Sequence, residues 1–265
     1  MSQKLKNQIK DIGGKMAGVF LLLAIWSAVS FGNQYLFNMF SPMLLPSPLD
    51  VLYSAITELR SGALLKNIIA SVSRVTQGFV IAAILGVGAG LAVGTRKALE
   101  RLIEPLIELL RPIPPLAFLP MMVLWFGIGE LSKIMFIAYS AFFPIFTTTV
   151  EGIRYVDPVL VRAASSLGAT RTQLFRRVVL PAATPSIITG LRLGFALSFF
   201  VIVAAEFIAA NSGLGYMINE ARTFFSVSDM LLGAFVIGII GFLVNAVLRK
   251  LEGKLLHWRG TVRAG

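Results

Sequence analysis

Cysteine is absent from the chain, so neither a disulfide nor a thiolate metal site can form. The one histidine, His257, cannot build a histidine metal cluster. Also missing are a phosphate-cradling loop of the form G-x-x-x-x-G-K-[ST], any metal-ligand spacing and a nucleophile elbow. The chain therefore carries no visible means of using a nucleotide. Acidic residues are scarce, 13 Asp and Glu against 24 Lys and Arg in 265 residues, and charged residues of both signs amount to only 14 %.

What remains is apolar. Hydrophobic residues make up 56 % of the chain, and several runs approach the roughly 20 residues that a bilayer-spanning helix needs. A formal charge of +11 would point to nucleic acid in a soluble protein. Here the cations cluster in short loops between apolar runs, so the charge records topology and no nucleic-acid partner is expected. Arg60, Lys66, Arg74, Lys133 and Arg222 fall on outer segments, Arg111 and Arg192 at boundaries, and the other 17 inside. That asymmetry predicts an all-α, polytopic membrane protein of six spans with both termini cytoplasmic.

The first span is expected over about residues 16–37, behind Lys4, Lys6, Lys10 and Lys15. Its apolar run exceeds the roughly 7–15 residues of a signal-peptide core, so it reads as retained. Residues 40–72 form a mixed outer segment broken by Pro42, Pro46 and Pro48, with Ser47 or Asp50 placed to cap a following helix. Span two, about 75–93, repeats Gly78, Ala82, Gly86, Gly90 and Gly94 every fourth residue, which sets one small-residue stripe along a helix face. The stripe suits close packing, at a subunit interface or within one chain, and packing within the chain is the expectation. Arg96, Lys97 and Arg101 return the chain inside, and Glu104, Glu108 and Arg111 follow on an interfacial turn. Residues 112–129 would cover roughly 27 Å as a helix, close to one bilayer core. Pro112, Pro114, Pro115 and Pro120 disfavour a regular helix there on steric grounds. Spans four, five and six are expected at about 134–150, 185–210 and 230–248, with 211–229 a short external stretch turning at Gly213 and Gly215.

Residues 161–181, VRAASSLGATRTQLFRRVVLP, stand apart from all this. Arg162, Arg171, Arg176 and Arg177 have no acidic partner inside the segment, which places it in water on the cytoplasmic side. Gly168 divides it. A short helical run begins at Arg162-Ala163-Ala164, and Thr170 is positioned to cap a second run that Pro181 closes.

The spacing Ala163-Ala164, three residues, Gly168, nine residues, then Val178-Val179-Leu180-Pro181 resembles the coupling loop of ABC-importer membrane subunits, the binding-protein-dependent permeases. The family's usual Glu is Arg162 here, and that Arg-Ala-Ala variant is similar to taurine permeases. The runs at 111–134 and 204–216 narrow the resemblance to the sulfonate, taurine and nitrate branch, taurine permeases most of all. It extends over about 44–259. What the resemblance implies is a type I ABC-importer permease fold in a single membrane domain, 1–265, with a core at about 67–250 and the coupling segment at 161–181. It further implies a bacterial inner-membrane location and a non-enzymatic transport subunit, with Arg162, Ala163, Ala164, Gly168, Val178, Leu180 and Pro181 serving ATPase coupling. The expected partners are an ABC ATPase dimer, a second permease copy, a periplasmic or lipid-anchored substrate-binding protein and membrane lipid. No cofactor is bound by this chain; ATP and Mg are used by the partner ATPase.

Two places read as candidate pathway or gate. Around Arg111, Pro114, Pro115 and Pro120 the freed carbonyls either line a wet cavity or belong to a proline kink packed on its neighbours. Glu206 lies some 30 Å along span five and so near the outer rim, where it either forms an external gate through a hydrogen bond or ion pair or snorkels to the interface. The cargo expected is a small, taurine-like organosulfonate. The same machinery serving nitrate, bicarbonate or another small anion is an alternative, and an integral membrane enzyme or passive channel is a reading of a different class.

Overall fold

A computed structural model describes residues 3–37 and 41–255, so His257 and the end of the resemblance near residue 259 lie outside the described residues. In chain order the helices are α1 Gln3–Gly32, α2 Pro48–Arg60, α3 Ala63–Thr95, α4 Lys97–Leu110, α5 Leu119–Phe126, α6 Glu130–Arg154, α7 Pro158–Ser166, α8 Arg171–Leu174, α9 Leu180–Ala209, α10 Leu214–Thr223 and α11 Val227–Leu255. Among the described residues, Ala63–Thr95, Glu130–Arg154, Arg171–Ile208 and Val227–Lys250 are long and apolar enough to cross a membrane. A pair bent by 87°, Lys97–Leu110 with Pro115–Phe126, makes a fifth if counted as one span. With the 30 residues of α1, the architecture is compatible with six spans without matching them one for one.

The chain divides into two units. One is Met1–Lys66 with Met217–Phe235, the other Asn67–Tyr216 with Val236–Gly265. In the first, Ser47 accepts from the Asp50 N–H while the Asp50 carboxylate accepts from the Ser47 N–H at 2.7 Å, a reciprocal cap that starts α2 behind Pro48. Both residues singled out as alternative caps therefore act together. The Trp26 indole donates to the Pro46 carbonyl at 3.1 Å and the Ser30 hydroxyl to that of Leu45 at 2.9 Å, which seat the proline-broken loop on α1. A cavity of about 550 Å³ in this unit is lined by Asp50, Tyr53, Glu58 and Asp229. Burial pushes the Glu58 carboxyl up, and the negative charges of Asp229 and Glu220 add to the effect.

In the second unit α6 is the central rod. Val75 from α3, Leu119 and Met122 from α5, Phe136 and Ile137 from α6 and Phe199, Ile202 and Ala205 from α9 form one buried cluster. The glycine stripe belongs to this packing. A Cβ at Gly78 would meet Ile137 at 2.7 Å, at Gly86 Ile145 at 2.9 Å, at Gly90 Thr149 at 2.6 Å and at Gly94 Ile153 at 2.9 Å. Each contact is with α6 of the same chain, the arrangement expected for the stripe. Gly152 and Gly194 do the same where α6 meets α9.

Four expectations are corrected. The outer segment 40–72 is largely helical, and α3 begins at Ala63 rather than near residue 75, which moves Lys66 and Arg74 from a loop into a membrane-length helix. The stretch 112–129 is not a crossing by itself, although its prolines do prevent a regular helix as expected: they leave a tight turn at Pro115–Phe118 and the eight residues of α5, which belong to the bent pair with α4. The external stretch 211–229 contains the ten-residue α10. Finally, Pro181 does not close a helix. The turn Phe175–Val179 widens so that the Leu180 N–H reaches the Phe175 carbonyl, and this wide turn absorbs the missing donor and the ring of Pro181.

Two predictions come from this packing. Gly90→Val should lower the melting temperature in detergent by an amount equivalent to roughly 1–3 kcal/mol, because it overpacks α3 on α6. Gly88→Ala, where a Cβ meets nothing within 4 Å, should not lower it. Because Glu58 titrates above its unfolded value, its ionisation disfavours the folded state. Glu58→Gln should therefore raise the melting temperature at pH 7, and the difference from wild type should vanish below about pH 4, where the carboxyl is protonated folded or unfolded.

Candidate functional site

Two constellations stand out, one at each end of α9. The first is built on Arg74, in the fourth turn of α3, with its side chain 4 % exposed. Its Nε donates to Glu130 Oε2 at 2.5 Å and its Nη2 to Glu130 Oε1 at 2.8 Å, a bidentate fork on the first residue of α6. Nη1 donates to Glu206 Oε1 and to the Ser212 carbonyl, both at 2.6 Å, and Nη2 also to the Ser212 hydroxyl at 3.0 Å. All five guanidinium N–H groups are thereby used. Lys133, one turn along α6 and also buried, lies 3.0 Å from Glu130 Oε1, the oxygen that also accepts from Arg74 Nη2.

Glu206 is fully buried in the last turn of α9. Besides Arg74 it accepts from the Ser71 hydroxyl at 2.8 Å and from the Gly215 N–H at 2.8 Å. The Gly213 N–H donates to Asn67 and the Leu214 N–H to Ser71. The free amide groups at the start of α10 are thus met by side chains of α3 and α9, and the Glu206 carboxylate sits at the positive end of that helix. Gly213, at φ +121°, and Gly215 have no Cβ because the Glu206 side chain occupies the space one would need. The arrangement ties α3, α6, α9 and the 210–214 turn together through a charge network whose Arg74–Glu206 pair is buried and whose Glu130 end is open, that side chain being 60 % exposed. Snorkelling of Glu206 is overturned: its side chain does not reach the interface but is held by a cation counted, from sequence, as part of an outer loop. The helical three- and four-residue spacing of Asn67, Ser71, Arg74 and Gly78 is the available signal, and it needs α3 to begin ahead of Asn67.

The second constellation is the segment after α6. Asp157 caps α7 by accepting from the Val159 N–H at 2.8 Å, so the first helical run starts at Pro158, four residues ahead of Arg162. It ends on Gly168 at φ +79°, with the Gly168 N–H on the Ser165 carbonyl at 3.0 Å and the Ala169 N–H on the Ala164 carbonyl at 3.1 Å. That double closure needs a left-handed residue, and glycine takes it without strain. Thr170 then caps α8, its hydroxyl accepting from the Gln173 N–H and the Gln173 side chain accepting from the Thr170 N–H. Arg162, Ala163 and Gly168 are exposed, Ala164, Val178, Leu180 and Pro181 half-buried. Val159, Leu160 and Leu167 are exposed apolar residues on the same short structure, Leu167 at 89 %, and charge-based reading of the segment passed over them. From Arg171 the helix runs through the wide turn into α9 without a break, 38 residues to Ile208.

The remaining candidates are not gathered with Glu206. Arg111 lines a cavity of about 200 Å³ with Glu104, Glu108, Glu151 and Arg154, at the C-terminal end of the 25-residue α6, whereas Glu206 is linked to its N-terminal residue. About 37 Å of helix separates the two places. Arg154 pairs with Glu100 and with Glu104, which joins α4 to that end of α6. Pro114 and Pro120 are exposed and Pro115 half-buried beside the tight turn, where Phe118 packs on Tyr139 with ring centroids 4.8 Å apart.

Membrane-length helices locked at one end by a buried ion pair, and drawn out at the other into a capped basic helix-turn-helix, define a transport permease of the type I importer fold. The chain belongs to the family described as binding-protein-dependent transport system inner membrane component, which matches residues 82–256. It is 40 % identical over 248 residues to the taurine transport system permease protein TauC of Escherichia coli K12, covering 92 % of this chain and 88 % of that one. It is 36 % identical over 251 residues to the putative aliphatic sulfonates transport permease protein SsuC of Bacillus subtilis 168, covering 94 % and 89 %. The fold is similar to a chain of the inward-facing MetNI methionine ABC transporter, with a TM-score of 0.64, 18 % identity and coverage of 75 % of this chain and 98 % of that one. The protein is a multi-pass ABC-importer permease subunit.

Removing one partner from the buried network leaves a charge without compensation. Arg74→Ala should destabilise the protein by about 3–5 kcal/mol, read as a loss of melting temperature in detergent. The double variant Arg74→Met with Glu206→Gln should recover a large part of that loss, since both charges are then gone.

Proposed function

We propose that this permease imports a small, taurine-like organosulfonate, driven by ATP hydrolysed on a separate ABC ATPase dimer that uses ATP and Mg. Two copies of the chain form the membrane body in the bacterial inner membrane, with both termini cytoplasmic. A periplasmic or lipid-anchored binding protein delivers the cargo. The cargo assignment rests on the likeness to TauC and SsuC along nearly the whole chain.

The observation that carries the mechanism is the unbroken helix from Arg171 to Ile208, which runs from the exposed helix-turn-helix to the turn that holds Glu206. In this reading the coupling segment, 161–181 within a core of about 67–250, seats in a groove of the ATPase. Arg162, Ala163, Ala164 and Gly168 shape the seated knuckle, while Val178, Leu180 and Pro181 form its rigid joint to the span. Movement of the knuckle tilts α9, and Glu206 opens or closes the outer end by leaving or rejoining Arg74. Packed helices switch between discrete arrangements, so the ion pair marks one of two states. Arg111, Pro114, Pro115 and Pro120 flank the inner part of the route.

The test is co-expression with the cognate ATPase and binding protein. Wild type should retain the ATPase through purification and take up taurine only with ATP, in competition with alkanesulfonates. Gly168→Val forces a β-branched residue into a left-handed turn and should cut ATPase retention at least tenfold while the membrane body stays folded. Uptake by Glu206→Gln equal to wild type would end the gate assignment. Competition by nitrate but not by alkanesulfonates would reassign the cargo, and uphill transport without the ATPase would overturn the mechanism.

A further inference from the structure

Behind the helix-turn-helix lies an open groove of about 970 Å³, set where α3 and α6 end. Arg96 and Lys97 enter it from the junction of α3 and α4, Arg162 from α7 and Arg171 from α8. No acidic residue lines it. None of these four cations has an acidic partner among the described residues, whereas the fifth, Arg154, is already paired with Glu100 and Glu104. Like charges brought around one space repel, and the arrangement is favourable only when an anion or its solvent screen enters. The amide groups at the start of the 14-residue α4 add positive potential at Arg96.

The wall of the groove gives the second half of the chemistry. Ile153 and Val156 are buried along it, and Val161, Phe175 and Val179 are partly open. A free inorganic anion has no use for such a surface. An amphiphile does: its anionic head meets the four cations and its chains follow the apolar wall toward the ends of two membrane-length helices. The groove's position at the rim of the spans puts it at headgroup level, where basic pockets between helices recognise anionic lipids.

We infer that this groove is a binding site for one anionic phospholipid, held by its phosphodiester between the α3–α4 junction and the α7–α8 helix-turn-helix. The lipid bridges a part of the bundle that ends in the membrane and the segment that projects from it, and so fixes the angle of that segment. The site is independent of which cargo is carried, and it shares Arg162 with the segment proposed to seat in the ATPase.

The test uses the full chain in neutral detergent, with bound lipid counted by native mass spectrometry. Phosphatidylglycerol should bind one to one and more tightly than phosphatidylcholine. At about 1 kcal/mol per surface cation, Arg96→Gln with Lys97→Gln should weaken phosphatidylglycerol by about thirtyfold. Arg162→Gln with Arg171→Gln should do the same. Arg249→Gln with Lys250→Gln, an equal charge loss at the far end of α11, should leave it unchanged. Equal weakening by all three pairs would reduce the effect to general surface charge and overturn the site. Displacement by millimolar inorganic phosphate would make it a free-anion site, and displacement by the bound ATPase would make it part of the protein interface; either result overturns the lipid assignment.

Discussion

Burying a guanidinium inside a membrane-length bundle is costly unless every donor finds a partner, and that requirement organises one end of the α3, α6 and α9 packing. Arg74 meets it with five donated hydrogen bonds to Glu130, Glu206 and Ser212. The geometry leaves little freedom. Glu130 must start α6, Glu206 must end α9, and the chain after α9 must fold back so that the Ser212 carbonyl and the amides of 213–215 point inward. The left-handed Gly213 and the missing Cβ of Gly215 are consequences of that demand.

At the opposite end the constraint is exposure. A short helix-turn-helix carrying four arginines stays in water because its cations have no acidic partners within it and its turn is closed by local hydrogen bonds alone. Local closure shapes the turn of the knuckle, and Val161 and Val179 seat its base on Ile153 and Val156. Rigidity is passed on through the wide turn ahead of Pro181, which keeps the chain helical where a proline at normal pitch would break or kink it. One helix thus physically joins the exposed and the buried constellations. Between them, close packing of α6 on glycine faces of α3 and α9 makes the three rods move as packed elements rather than slide freely.

Legibility followed the range of the interaction. The caps at Ser47, Asp50 and Thr170, the turn at Gly168 and the packing stripe from Gly78 to Gly94 are local or periodic patterns, and each was readable from neighbours along the chain. Charge hides the start of α3, because Lys66 and Arg74 have the composition of a loop. Lys66 and Arg74 are polar interruptions of an otherwise helical run, tolerated because Arg74 is compensated by partners far away in sequence. The stop at Pro181 was misread for a related reason: proline breaks a regular α-turn, but a single wide turn absorbs it, and nothing in the residue string announces that turn.

The sequence by itself determined that the chain lives in a membrane, that it carries a basic helix-turn-helix at a fixed place, and that it has no cysteine and no phosphate-cradling loop motif. Composition, periodicity and short-range spacing contain that information, since lipid admits almost only helices and short motifs close on themselves. Only the tertiary structure decided what Glu206 does with its charge. Its partner lies 132 residues away, on another helix, and the two meet because glycine faces let α3, α6 and α9 approach within side-chain reach. A contact of that kind depends on the direction in which each helix face points, which the order of residues does not state until the helices are packed.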